Sequence, residues 1–212
     1  NSKDLSKAND YVVLTRLISA IFRRSTDSLF ILEELQMKNE RDIETIDASL
    51  RFQGSLPVTS DELLSKLDKW GIDYKLYSHK PLNTVSESKG VQDQFLHPSE
   101  GGGHIKNLYL RDHKKRNILL VAEQDSKIDL KLLKTTLSTG RLSFGSAERL
   151  LENLGVRPGA VTPLSMITGI TKGVTLFIES QLKSCSLIYA HPLVNDRTIS
   201  MTIPAFEQFF NE

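Results

Sequence analysis

Two apolar runs in the middle of this chain, Leu108-Tyr109-Leu110 and Ile118-Leu119-Leu120-Val121, flank the polar stretch Asp112-His113-Lys114-Lys115-Arg116-Asn117. Short apolar runs on either side of a compact polar segment specify a β-hairpin. That hairpin excludes a purely helical bundle. Further strand-like runs fall at Ile72 to Tyr77, Arg141 to Phe144, Val174 to Ile178, Leu187 to Ala190 and Thr198 to Thr202. Helical patterns interleave with them without regular βαβ spacing, so the class is α+β rather than a doubly wound sheet.

The helices are announced by their ends. Thr59-Ser60-Asp61-Glu62 carries a capping-box pattern, in which the threonine accepts from the first turn and the glutamate reaches back. Leu63, Leu64, Leu67 and Trp70 then form an apolar face, and Gly71 is the stop. Asp129 to Leu137 forms a second helix, with leucines at 130, 133 and 137. Ser146 caps a third, running through Leu150 and Leu154 to Gly155, and Pro204 opens a closing helix that reaches Phe210. Pro81 to His97 has little periodicity and reads as a loop with one short helix, either a lid over the site or, as long loops more often are, a passive connection.

Gly54-Ser55-Leu56-Pro57 looks like a linker. It divides a helical N-terminal extension (1–56) from a main domain (57–212). In the extension, Leu14, Leu17, Ile18, Ile21 and Phe22 recur at helical spacing, and Leu29, Ile31, Leu32 and Leu35 form a second group. An appendage packed on the main domain accounts for them, with dimerisation or partner docking as the alternative.

A formal net charge of +1 leaves no bulk attraction for nucleic acid, so any RNA contact must come from a local patch such as the basic hairpin tip. The run Tyr11 to Phe22 is too short to span a bilayer. No membrane is expected, and the cytoplasm is the default location. The single cysteine, Cys185, lacks a flanking base and reads as a packed thiol. His79, His97 and His113 have no metal-ligand spacing, and Glu123, Asp125 and Asp129 read as turn-solvating carboxylates. No cofactor and no metal are expected.

Three segments carry the chemistry: Gly101 to Asp112, Gly155 to Pro163, and His191-Pro192-Leu193-Val194-Asn195. In the first, glycines permit close backbone approach to a ligand, and Lys106 supplies a mobile charge for a phosphate or carbonyl. A hairpin entry with a solvated lysine accounts for the same residues. In the second, a glycine after proline turns the chain so that the following N–H groups can face a developing oxyanion. A stiffened helix-to-strand connection is the competing account. In the third, Pro192 holds the His191 backbone extended.

Taken together and in order, these segments resemble the YbaK/prolyl-tRNA-synthetase-associated family of aminoacyl-tRNA editing domains. Its pattern of Gly-Gly-His-x-Lys-Asn-Leu-Phe-Leu, Ile-Asp-Leu, Arg-Leu-Ser-Phe, Leu-Gly-Val-x-Pro-Gly and His-Pro-x-x-Asn is matched from Gly102 to Asn195, with Ile128-Asp129-Leu130 and Arg141 to Phe144 between. The likeness covers about Pro57 to the C-terminus and is nearest to the freestanding Ala-tRNA(Pro) deacylases. It implies a mixed, partly barrel-like sheet flanked by helices. It also implies hydrolysis of a mischarged aminoacyl ester without a protein nucleophile, a ribose hydroxyl of the tRNA helping to place the water.

By the same resemblance, Lys106, Gly159, Ala160 and His191 are the catalytic candidates. His104, Asn107, Val161, Thr162, Pro163 and Asn195 are the substrate-binding ones. Asn107 follows Lys106 directly, so on a regular strand it faces the opposite side and braces the loop. Asp196 stands where relatives commonly carry a small or hydroxylated residue. A site for alanine must admit a methyl group and reject the proline ring, for which Val85, Ile105 and Val161 to Met166 are the candidate lining. The implied partners are the tRNA(Pro) acceptor end and prolyl-tRNA synthetase, with the protein a monomer or weak dimer. Cys-tRNA(Pro) deacylation and a non-catalytic tRNA-binding module are the rival readings.

Overall fold

The computed structural model describes residues 46–82, 87 and 90–212. The two expected N-terminal helices and Val85 lie outside the described residues. Helix α1 (Ser60–Lys69) starts as its sequence predicts: the Thr59 side chain accepts from the Glu62 N–H, and the Glu62 carboxylate accepts from the Thr59 N–H. Gly71, at φ +66°, turns the chain out after it. Leu63 and Leu67 are fully buried, each contributing roughly 1.5–3 kcal/mol through burial.

Seven strands follow among the described residues: β1 (Lys75–Ser78), β2 (Gly102–Asp112), β3 (Asn117–Glu123), β4 (Leu142–Phe144), β5 (Thr175–Ile178), β6 (Leu187–Ala190) and β7 (Arg197–Thr202). They form one mixed sheet in the order β1-β7-β6-β2-β3-β5, with β4 also on β2. The pairs β2–β6 and β3–β5 are parallel, and the others are antiparallel. The helices α2 (Leu130–Thr136), α3 (Ala147–Leu154), α4 (Met166–Gly169) and α5 (Ile203–Phe209) flank this sheet. Among the described residues, no helix is long and apolar enough to cross a membrane.

Alternation along β2 and β3 sends side chains to two cores. Tyr109, Leu119 and Val121 pack with Leu63, Leu154 and Phe206 on one face. Leu110, Ile118 and Leu120 pack with Leu133 and Leu137 on the other. The hairpin tip forms as expected, with the Asp112 carboxylate taking both the Arg116 backbone N–H and its guanidinium.

The structure adds to the sequence reading in three places. The glycines belong to the strand rather than preceding it: Gly102 and Gly103 are already paired with β6, and β2 runs for 11 residues. Their backbone is closely approached by the chain itself. A Cβ on Gly102 would lie 1.8 Å from the Leu96 carbonyl oxygen, and one on Gly103 would lie 2.8 Å from that of Leu187. Gly54 is not in a free linker but inside the 3-10 helix Leu50–Ser55, whose Gln53 pairs with Asp61 at the start of α1. Finally, residues after Pro163 are helical, through two 3-10 turns and α4. Those turns are too short for helical periodicity to show in the sequence.

Candidate active site

The long strand β2 is shared unequally along one edge. Strand β6 pairs with it only at Gly102–His104, and β4 rejoins the same side at Leu110–Asp112, because β3 occupies the other edge. Between them, among the described residues, that edge of Ile105 to Tyr109 has no strand partner. The loop Gly159–Pro163 docks into this split, where the Asn107 side chain donates from Nδ2 to the Val161 carbonyl at 2.9 Å. The Asn107 Oδ1 is buried without a hydrogen-bond partner among the described residues.

Where β6 leaves β2, an open cleft of about 490 Å³, solvent at its mouth included, is lined by His104, Ile105, Gln124, Tyr189, Ala190, His191 and Thr198. Leu82, Val91, Gln92 and Phe95 close it from the loop preceding β2. One wall is a stack of rings. Tyr189 lies 5.1 Å from His104 and 4.6 Å from Phe95, centroid to centroid. The stack clamps Leu96 by both backbone groups: its N–H donates to the Tyr189 Oη at 2.7 Å, and its carbonyl accepts from His104 Nε2 at 2.9 Å. Gln92 and Gln124 pair through their amides at 2.7 Å.

His104 is buried, and burial pushes its pKa below 6.5. It is therefore held neutral when folded, whereas the unfolded chain takes up the proton near 6.5. Stability from this residue is complete above that value and declines as pH falls through it. The melting temperature of His104→Gln should accordingly drop less than that of the wild type between pH 7.5 and 5.5.

His191, directly after β6, faces the cleft. Its Nδ1 meets the Arg197 carbonyl at 2.7 Å. A carbonyl only accepts, so Nδ1 carries the hydrogen. Burial drives the pKa down, which keeps the ring neutral and leaves Nε2 as a lone-pair acceptor. His79 stands 6.0 Å away, ring to ring, and its Nε2 contacts the Thr198 hydroxyl at 2.9 Å.

Lys106 occupies the other face of β2 from Asn107, opposite Ala122 in register. Its ammonium donates to the Ser126 carbonyl. That turn is built on Glu179, a buried carboxylate that accepts from the Ser126 hydroxyl at 2.9 Å and from the Glu123 N–H at 2.8 Å. Burial raises the pKa of Glu123, and the Lys106 charge opposes the rise.

The sequence-derived candidates thus fall into three places. His104 and His191 line the cleft with Ile105. Asn107 and Val161 join the glycine loop to β2 beside it. Lys106 sits on the adjoining carboxylate-held turn. Within the loop, Gly159 adopts φ +87°, and the Ala160 N–H closes onto the Arg157 carbonyl at 3.0 Å. The Ala160 N–H is therefore taken up by the turn itself. Thr162 and Pro163 are buried, the threonine capping the 3-10 turn after it. Asn195 is fully buried, and its backbone bridges Ala48 and Leu82.

Tyr189, Phe95, Thr198 and Glu179 were not visible as site residues in the sequence. Tyr189 falls inside the strand-like run Leu187 to Ala190 and Glu179 directly after the run Val174 to Ile178, and neither position carries a local signal of a site. Cys185 matches its reading, with burial pushing the thiol pKa up.

Comparison with known proteins agrees with this architecture. The model of the aminoacyl-tRNA editing domain matches residues 83–209. The prolyl-tRNA editing protein ProX of Acetoanaerobium sticklandii is 33% identical over 147 residues, covering 69% of this chain and 87% of that protein. A prolyl-tRNA synthetase associated domain-containing protein of Xenopus laevis is 33% identical over 156 residues, 71% of this chain and 89% of the relative. Among solved structures, a hypothetical protein aligns with a TM-score of 0.57 at 15% identity, over 70% of this chain and 93% of its own. A candidate trans-editing enzyme for prolyl tRNA synthetase aligns at 0.54 and 16%, over 72% and 92%. These two likenesses speak to the fold. With the sequence match spanning both the split strand and the cleft beside it, the chain belongs to the aminoacyl-tRNA editing domain family.

Proposed function

We propose that this protein is a trans-acting aminoacyl-tRNA deacylase that removes alanine from mischarged Ala-tRNA(Pro) in the cytoplasm. The observation that carries this reading is the cleft at the β2–β6 split, where a neutral histidine presents Nε2 beside small apolar groups. The reaction adds water to the ester carbonyl of the aminoacylated terminal ribose. His191 Nε2 orients that water and accepts its proton as the tetrahedral intermediate forms. The ester C–O bond then breaks, and the ribose oxygen takes the proton back, releasing alanine and tRNA. An ester needs no protein nucleophile for this.

Ile105, Ala190 and Leu82 suit a methyl side chain. The ring wall and the clamped Leu96 segment limit the space for a pyrrolidine ring, so selectivity is a matter of size. Lys106, on β2 and bonded to the neighbouring turn, supplies the positive charge for the terminal phosphate or ribose of the acceptor end, and prolyl-tRNA synthetase is the source of the mischarged substrate.

The test is deacylation of Ala-tRNA(Pro), Cys-tRNA(Pro) and Pro-tRNA(Pro) by the full chain and by Lys106→Ala. Rapid release of alanine alone, reduced about a hundredfold in the variant, is expected. Preferential release of cysteine would move the substrate assignment. No turnover of any of the three would overturn the enzyme reading in favour of a tRNA-binding module.

A further inference from the structure

The turn between β6 and β7 carries the His191 ring, and β7 opens with the carbonyl that fixes it. It contains Leu193 at φ +68°, a left-handed conformation that a β-carbon-bearing residue keeps only when its surroundings impose it. Much of that surrounding comes from outside the family-matched region, which begins at residue 83. Both carboxylate oxygens of Asp196 accept from the Leu50 N–H, at 2.9 and 3.0 Å. The Asn195 N–H donates to the Ala48 carbonyl at 2.9 Å. The segment 48–50 therefore lies along the turn as a strap.

The same turn is held from two other directions. The Asp196 carbonyl accepts from the His79 N–H at 3.0 Å, and the Asn195 carbonyl accepts from the Leu82 N–H at 2.9 Å. Arg197 reaches α1 through an ion pair with Asp61 at 2.6 Å. The carbonyl that accepts from His191 Nδ1 belongs to Arg197, the residue directly after Asp196. Whatever moves the Asp196 peptide moves the His191 anchor.

We propose that Asp196 is a positioning residue for His191, and that the strap of residues 48–50 belongs to the working pocket through it. This rests on the role given to His191 above. It explains why an acidic residue stands where the family resemblance expects a small or hydroxylated one: the carboxylate satisfies the first N–H of the 3-10 helix Leu50–Ser55, whose N-cap, Ser49, makes no side-chain cap bond. Asp196 also raises the affinity of His191 for its proton, against the larger effect of burial and that of neighbouring His79.

Two variants remove the same bonds from opposite sides. Asp196→Asn weakens the acceptor. Leu50→Pro deletes the donor at the first helical position, where proline is tolerated, and Ser49 before it already has the extended backbone that proline requires (φ −77°, ψ 163°). The readouts are kcat and KM for Ala-tRNA(Pro), and NMR of the imidazole nitrogens in the full chain. The expected result is a wild-type His191 held as the Nδ1–H tautomer and a mixture of tautomers in both variants. In both, kcat should fall roughly tenfold to a hundredfold with KM little changed, and the double variant should be no worse than either single one. An unchanged His191 tautomer in both variants overturns the proposal, whatever the rates do. A wild type that releases no amino acid defeats the deacylase reading alone, and the NMR comparison still decides the positioning role.

Discussion

His191→Ala is expected to lower kcat for Ala-tRNA(Pro) by roughly two to four orders of magnitude, the usual range for a lost general base, with KM changed by only a few-fold. The side chain lines the cleft and hydrogen-bonds the Arg197 carbonyl at the start of β7. Removing it therefore takes the Nε2 acceptor away from the reacting water without emptying either apolar core, and steady-state kinetics with a melting curve separate the two effects. The wild-type pH profile supplies the sign. The working form is the neutral ring, and burial depresses its pKa below 6.5. Activity should hold as pH falls to 6.5 and decline only below it, on an acid limb that His191→Ala lacks. A limb centred above 6.5, or one surviving in the variant, would assign the titration to another group.

Gly102→Ala should destabilise the fold by roughly 3 kcal/mol through overpacking, a fall in melting temperature of about 6–12 °C for a chain of this size. The reason is geometric. The added Cβ would lie 1.8 Å from the Leu96 carbonyl oxygen and 2.7 Å from its carbon, so backbone rather than a flexible side chain must yield. Leu96 is the residue clamped by Tyr189 and His104, so the displaced segment is a wall of the cleft and activity should fall with stability. Gly54→Ala is the control: nothing lies within 4 Å of its Cβ position, and its melting temperature should stay near the wild-type value. Equal melting temperatures for the two variants would show that the 96–102 contact does not constrain the fold.

Much of the secondary structure was legible because its signals are local. The Thr59–Glu62 capping box, the Ser146 cap with Gly155 at φ +67°, and the run Leu187–Ala190 each act within one or two turns of chain. The strand at Gly102 was harder to see because glycines carry no strand propensity. They are accepted there only because the Leu96 and Leu187 carbonyls press against the backbone, and both contacts are remote in sequence or made by a loop.

The candidate site divides the same way. Opposite faces for Lys106 and Asn107 follow from strand alternation alone, and Asn107 does hold the loop through Val161. That Lys106 meets a turn built on Glu179, 73 positions further along, required the parallel pairing of β3 with β5. The neutral state of His191 likewise required a carbonyl and a buried setting that no spacing in the chain announces.

By itself, then, the sequence determined where helices begin and end, which residues alternate across β2, and the order of motifs that marks the family. Tertiary structure alone decided that β6 and β4 share one edge of β2 and leave a gap between them, that Tyr189 and His104 clamp Leu96, and that residues 48–50 strap the His191 turn. Capping and alternation depend on groups a few bonds apart, whereas burial, tautomer and strand pairing depend on neighbours that only the folded chain brings within hydrogen-bonding distance.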